Sequence, residues 1–280
     1  MTAGPIMKPR DRFLELVSRQ DEEINLAEAA LLIAAEEYPR IDVESYLDCL
    51  DQFGDLVREQ AADAQTPLEI ITSLNTALFE QLGFHGNREN YYDPRNSYLN
   101  EVIDRRTGIP ITLTVVLIDV ARRIGFPIKG VGLPFHFIAK HQSAGGDLFI
   151  DPFNAGRLLS YAGCEELVRR MSGGKLDLQS SHLEAVTNKQ ILTRMLSNLL
   201  GIYSASDYRR ALSVIELLLL INPKSPSHIR DRGLLLAKIG NRKDAIAELE
   251  RYLEHMPEAP DAHTIHEQIR SLRQSQARLN

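Results

Sequence analysis

The chain has 280 residues, 44% of them hydrophobic and 25% charged, enough to bury a substantial core in one large domain or two to three small ones. Its 32 basic and 38 acidic side chains give a net charge of −6, which argues against nonspecific binding to nucleic acid, since that needs a basic surface. No apolar run is long enough for a membrane span. The N-terminus, MTAGPIMKPRDRF, lacks the apolar stretch of a signal peptide. The two cysteines, Cys49 and Cys164, make no disulfide or metal framework, so a reduced, cytoplasmic protein is expected.

Residues 10–83 carry helical signals. Asn25 and Glu28 resemble a capping box ahead of the apolar run Leu26–Ala35. Asp42 precedes a stripe of Val43, Tyr46, Leu47, Leu50, Phe53, Leu56 and Val57 at helical spacing. Thr66-Pro67-Leu68-Glu69 is a strong helix start, and Gly83 a helix end.

Residues 91–159 concentrate the chemistry-bearing side chains. Asn96 or Ser97 can cap a short helix with Leu99, Val102 and Ile103 inside, and Gly108 can stop it. The run from Ile111 to Ile124 is rich in Thr, Val and Ile, which favour strand. Its length and the closing Gly125 favour a buried helix, and helix is the expectation here. Strands are expected at Lys129–Leu133, Phe135–His141 and Leu148–Asp151, the last two joined as a hairpin by Ala144-Gly145-Gly146-Asp147. A short helix should follow from Cys164 to Met171. Ser172-Gly173-Gly174-Lys175 lacks the spacing of a phosphate loop.

The tail repeats itself. Asn222-Pro223 and Met256-Pro257 lie 34 residues apart, and Ala211 and Ala245 share that offset. This period, with small residues where paired helices meet and proline at the repeat end, is the tetratricopeptide signature. Gly233 and Ala245 hold the small-residue positions, and Tyr252 stands where alanine is usual. A last helix is expected over Asp261–Leu279.

The central segment resembles the transglutaminase-like superfamily, a papain-related fold, and more closely its bacterial SirB-type branch, which couples such a core to tetratricopeptide repeats. The residues that carry the resemblance are Asn96-Ser97-Tyr98-Leu99, Arg105-Arg106 with Gly108-Ile109-Pro110-Ile111, Gly125, His136-Phe137, and Asp151-Pro152-Phe153 with Gly156. It implies an α+β fold, mostly helical, with a helix-plus-antiparallel-sheet core. The expected regions are helices over 1–90, the transglutaminase-like core over 91–187 and the repeats over 188–280.

In active members of that superfamily a cysteine stands at the N-terminus of the central helix, and the following strands supply a histidine and an aspartate. A helix N-terminus stabilises a thiolate, the histidine acts as base, and the aspartate fixes its tautomer. By position His136 and Asp151 match that pair. The nucleophile falls within 109–112, which reads Ile-Pro-Ile-Thr, so Thr112 is the only hydroxyl available and there is no thiol. Thr112, His136 and Asp151 are therefore vestigial catalytic positions. The pair either orients a ligand or holds the sheet together. Arg105, Arg106 and Asn96 are candidate binding residues for an acidic peptide or phosphate; the alternative is that one arginine pairs with Asp93 or Glu101 and the other is solvated. His136 and His141 are five apart on an expected strand and so face opposite ways, which argues against a shared metal. The pair His263 and His266 is read as incidental. No metal and no cofactor are expected.

Three functions follow. The first is a non-enzymatic regulatory or scaffolding pseudoenzyme that binds a protein or peptide partner, with a role in regulating gene expression implied by the resemblance. The second is a hydrolase or amide-transferring enzyme that uses His136 and Asp151 with a non-cysteine nucleophile. The third is a direct DNA-binding regulator, disfavoured by the acidic charge. The sequence leaves any small-molecule ligand open.

Overall fold

Strong caps open the first helices. The computed structural model describes residues 7–143 and 145–277. Helix α1 (Pro9–Val17) begins on a proline, and α2 (Leu26–Ala34) is capped by Asn25, whose side chain accepts the Glu28 N–H at 3.2 Å. In α3 (Val43–Gln60) the cap is Asp42, which accepts the Ser45 N–H at 3.3 Å. Thr66 and Glu69 complete both halves of a capping box at the start of α4 (Pro67–Asn75). That helix runs into a π-helical turn, Thr76–Gln81, and Gly83 ends it at φ +74°.

Strand β1 (His85–Gly86) pairs in parallel with β2 (Thr107–Gly108), and α5 (Leu99–Arg105) lies between them in sequence. Two expectations fail here. Neither Asn96 nor Ser97 caps α5; both are buried, and Tyr98 holds the cap position without a side-chain bond. The helix ends on Arg106, at φ +55°, and not on Gly108. Gly108 serves a close approach instead, because a Cβ there would stand 2.8 Å from Thr112 Oγ1.

Helix α6 (Pro110–Arg123) takes the ambiguous run. Its β-branched residues do not make it a strand, because Pro110 starts a helix and Gly125, at φ +75°, stops one. The helix is buried along almost its whole length and packs against α2, α3 and the sheet strands described next. A helix apolar on every side belongs at the centre of a core.

The sheet comprises β3 (Lys129–Val131), β4 (Ile138–Ser143), β5 (Gly146–Asp151), β6 (Arg157–Leu159) and β7 (Ala185–Val186), in the order β6-β5-β4-β3-β7, antiparallel throughout. The hairpin closes at Ser143↔Gly146 as expected; Ala144 lies outside the described residues. The preceding strand starts later than expected. Phe135 sits at φ +60°, which breaks the extended run, so His136 occupies a turn ahead of β4. The face-parity argument for His136 and His141 therefore does not apply. His141 Nδ1 donates to Pro127 O at 2.8 Å, and the ring stacks on Phe126. Helix α7 (Tyr161–Met171) covers the sheet with Cys164, Leu167 and Val168 among Val131, Ile138 and Phe149.

The chain divides into two compact units, Met1–Met195 and Leu196–Asn280. The division falls within α8 (Asn188–Tyr203). The second unit continues with α9 (Tyr208–Ile221), α10 (Pro226–Lys238), α11 (Arg242–His255) and α12 (Ala262–Ala277). Leu279, the expected end of the last helix, lies outside the described residues. Ala211 and Ala245 are fully buried. Tyr252, at its unusual position, donates to Asp261 at 2.6 Å, and Arg230 pairs with the same carboxylate at 2.9 Å. His263 and His266 are exposed.

Gly233 lets α10 meet α11: a Cβ there would lie 2.8 Å from the Leu249 side chain and 3.2 Å from its backbone nitrogen. Gly233→Val should destabilise the repeat helices by about 1–3 kcal/mol. Thermal unfolding followed by circular dichroism checks this, as a lowered melting temperature.

Candidate functional site

The N-terminus of α6 is sealed. Thr112 is fully buried, and its hydroxyl is spent within the fold. Oγ1 accepts the Ile109 N–H at 3.1 Å. Its one proton faces Asn96 O at 2.8 Å, with Ile109 O at 3.1 Å as the longer alternative. Ile109 and Ile111 are buried beside it.

Asn96 is the other half of this lock. It is fully buried, and its side chain donates to Asn90 O (2.8 Å) and Tyr91 O (3.2 Å) while accepting from Asn87 (3.1 Å) and Arg105 (3.2 Å). Arg105 thus turns inward, and its Nη1 is buried without a hydrogen-bond partner. Arg106 lies over the rings of Phe53 and Phe84, at 4.6 and 5.0 Å, and donates to Ile103 O. Asp93, expected as a partner for one of them, pairs with Arg95 at 2.6 Å, which holds its carboxyl below the usual carboxylate range.

The structure does bring His136 and Asp151 together. His136 Nε2 lies 3.0 Å from Asp151 Oδ1, and both residues are buried. Asp151 Oδ2 accepts a second bond, from Asn154 Nδ2 at 2.6 Å. With the carboxylate as acceptor, Nε2 carries the proton and Nδ1 the lone pair. Among the described residues Nδ1 makes no hydrogen bond. Phe153 meets the imidazole edge-on at 6.0 Å.

Three side chains at this place carry no local sequence signal. Asn154 supports Asp151 from the next turn. Phe135 precedes His136 and is exposed. Arg194, 58 residues beyond His136, donates to the His136 carbonyl at 2.8 Å.

A transglutaminase-like superfamily model matches residues 44–197, more than half of the chain, and a tetratricopeptide-repeat model matches residues 200–270. The chain belongs to the transglutaminase-like superfamily. It is 38% identical over 247 residues to a UPF0162 protein of Xylella fastidiosa (strain Temecula1), which covers 86% of this chain and 88% of that protein. A UPF0162 protein of Vibrio cholerae is 30% identical over 197 residues, or 70% and 73% of the two chains. The F-box only protein 21 of Mus musculus is 35% identical over 142 residues, which is 48% of this chain and 22% of that protein.

Within this transglutaminase-like core neither cysteine is a poised thiolate. Cys164 is fully buried in α7; burial and the nearby Asp151 charge push its thiol up to about 11. Cys49 is half-buried in α3, and burial raises its pKa too, against the opposing pull of Arg106. A raised thiol pKa favours the neutral, unreactive form.

Two measurements test this geometry. Thr112→Val, which keeps the shape but strands Asn96 O and the Ile109 N–H, should cost about 1–3 kcal/mol in chemical unfolding, whereas Thr112→Ser should cost less. At pH 8 an unperturbed thiol is about one quarter thiolate, but one with a pKa of about 11 is only about 0.1% thiolate. Native Cys164 should therefore resist iodoacetamide at pH 8 and react on unfolding, as read by mass spectrometry.

Proposed function

We propose that this chain is a non-enzymatic scaffold in which a transglutaminase-like core has kept a histidine–aspartate pair for holding a ligand and has lost the group that reacts. The carrying observation is the internal bonding of Thr112, the only hydroxyl in the segment where the superfamily's nucleophile belongs. Threonine is a weak nucleophile without an adjacent base, and removing a triad nucleophile costs about 10⁶ in rate. A His136 Nδ1 that makes no hydrogen bond among the described residues supports a binding role beyond a purely structural one. The tetratricopeptide repeats support a protein partner.

Any part in regulating gene expression then runs through protein contacts, because a net charge of −6 disfavours direct DNA binding. A reducing cytoplasm suits the free Cys49 and Cys164.

The test is a screen of the full chain for amide hydrolysis and amine transfer, beside a pull-down of partners. The expected result is no turnover by the wild type and a reproducible partner that His136→Ala weakens. Turnover that His136→Ala abolishes in a folded protein would restore the enzyme reading with its non-cysteine nucleophile.

A further inference from the structure

Arg194 turns its guanidinium toward the loop that carries His136. Nη2 donates to His136 O at 2.8 Å and to Leu133 O at 3.3 Å. The guanidinium carbon lies 5.2 Å from the Phe137 ring, and Gly132 leaves room for Nη1, which would stand 3.2 Å from a Cβ there. No carboxylate pairs with it among the described residues, and burial pushes its pKa down. A guanidinium bonded only to neutral carbonyls leaves its charge uncompensated. Among the described residues its Nε and Nη1 make no hydrogen bond, and the residue is partly exposed.

Aromatic side chains contact one another in a chain that leads from Tyr92 to His136. Tyr91 and Arg194 are close enough to interact electrostatically. Tyr91 meets Tyr92 at 5.3 Å and Phe153 at 6.2 Å, and Phe153 meets His136 at 6.0 Å. Arg88 lies 5.4 Å over Phe153, bonds Asn154 Oδ1, and likewise has no carboxylate partner among the described residues. Tyr92 is 80% exposed and Phe135 62%. Phe135 holds φ +60°, a conformation that a bulky aromatic adopts only under constraint, and the two Arg194 bonds clamp the turn on either side of it. Among the described residues no acid pairs directly with either arginine: Asp151 is bonded to His136 and Asn154, and Asp93 to Arg95.

We propose that this patch docks an acidic peptide segment, with a carboxylate on Arg194 and Arg88 and an apolar or aromatic side chain against Phe135 and Tyr92. The inference rests on the reading of the core as binding and not reacting. Charge complementarity selects the occupant: two arginines without acidic partners stand in an otherwise acidic chain. Rigid exposed aromatics beside arginine are the side chains that anchor protein partners.

The experiment pans a displayed short-peptide library on the full chain and on its Arg88→Gln and Phe135→Gly variants. The selected peptides should carry Asp or Glu beside an aromatic or aliphatic residue. A synthetic copy should weaken about tenfold when its acid is changed to the amide, and similarly on either variant. Glycine is at home at positive φ, so Phe135→Gly should keep its melting temperature while losing affinity, which a packing role would not give. Selected peptides without acids, no selection at all, or insensitivity to both variants would overturn the proposal. Acid-free binders would leave the scaffold reading standing, whereas cleavage of the selected peptide dependent on His136 would sink that reading instead. Self-association in sedimentation velocity, lost in Phe135→Gly without any peptide binding, would assign the patch to a second copy.

Discussion

The N-terminus of α6 has to be satisfied without water, and the core is built around that need. A helix leaves its first N–H groups unpaired, and here the first turn is buried. Pro110 removes one donor, and the Thr112 hydroxyl takes the Ile109 N–H while donating back to Asn96 O. Asn96 passes the constraint outward, since its side chain fixes the loop at Asn87, Asn90 and Tyr91 and the end of α5 at Arg105. Gly108 is bound into the same arrangement by its 2.8 Å approach to Oγ1. The place where a related enzyme would keep an exposed thiolate is here a closed hydrogen-bond lock.

The second constraint runs through the far end of the sheet. Asp151 ends β5, and its two oxygens tie His136 to Asn154. Gly156 allows the following turn to lie against Asn75, whose side-chain nitrogen donates to Gly156 O at 2.7 Å. On its other side the His136 turn is held by Arg194. The imidazole is thus fixed from several elements, as a positioned base or a positioned ligand-binding group must be.

Local rules carried much of the fold. Caps at Asn25, Asp42 and Thr66 are short-range chemistry, and so are the glycine stops at Gly83 and Gly125. The central helix was legible from its length and its closing glycine, despite its strand-like composition. The 34-residue repeat was legible because it is a periodicity. The misses have a different physics. Asn96 looked like a helix cap, but its partners are distributed over loops that only tertiary structure brings together. Arg105 and Arg106 looked like surface cations, yet Phe53 and Phe84, from other elements, provide the surface for Arg106. Phe135 broke the strand by adopting a positive φ that no propensity scale assigns to phenylalanine. Arg194 could not be found locally, because its hydrogen bonds span 58 residues or more.

The retained histidine and aspartate do not by themselves argue for chemistry. Removing one member of a buried bonded pair strands the other, at a cost of several kcal/mol for a charged group, so stability alone can keep such a pair after a nucleophile is gone. Features that stabilise are therefore weak witnesses to function at this site. Features that cost free energy are better ones. A phenylalanine at φ +60°, a partly buried guanidinium bonded to carbonyls without an acid, and exposed tyrosines all oppose folding or solubility. Phe135 adjoins His136 in sequence, Arg194 bonds its carbonyl, and Phe153 links its ring to Tyr91. Packing explains the inner half of this site, the Thr112 lock and the Asp151 bond. In the outer half these costs support the proposed docking of an acidic peptide.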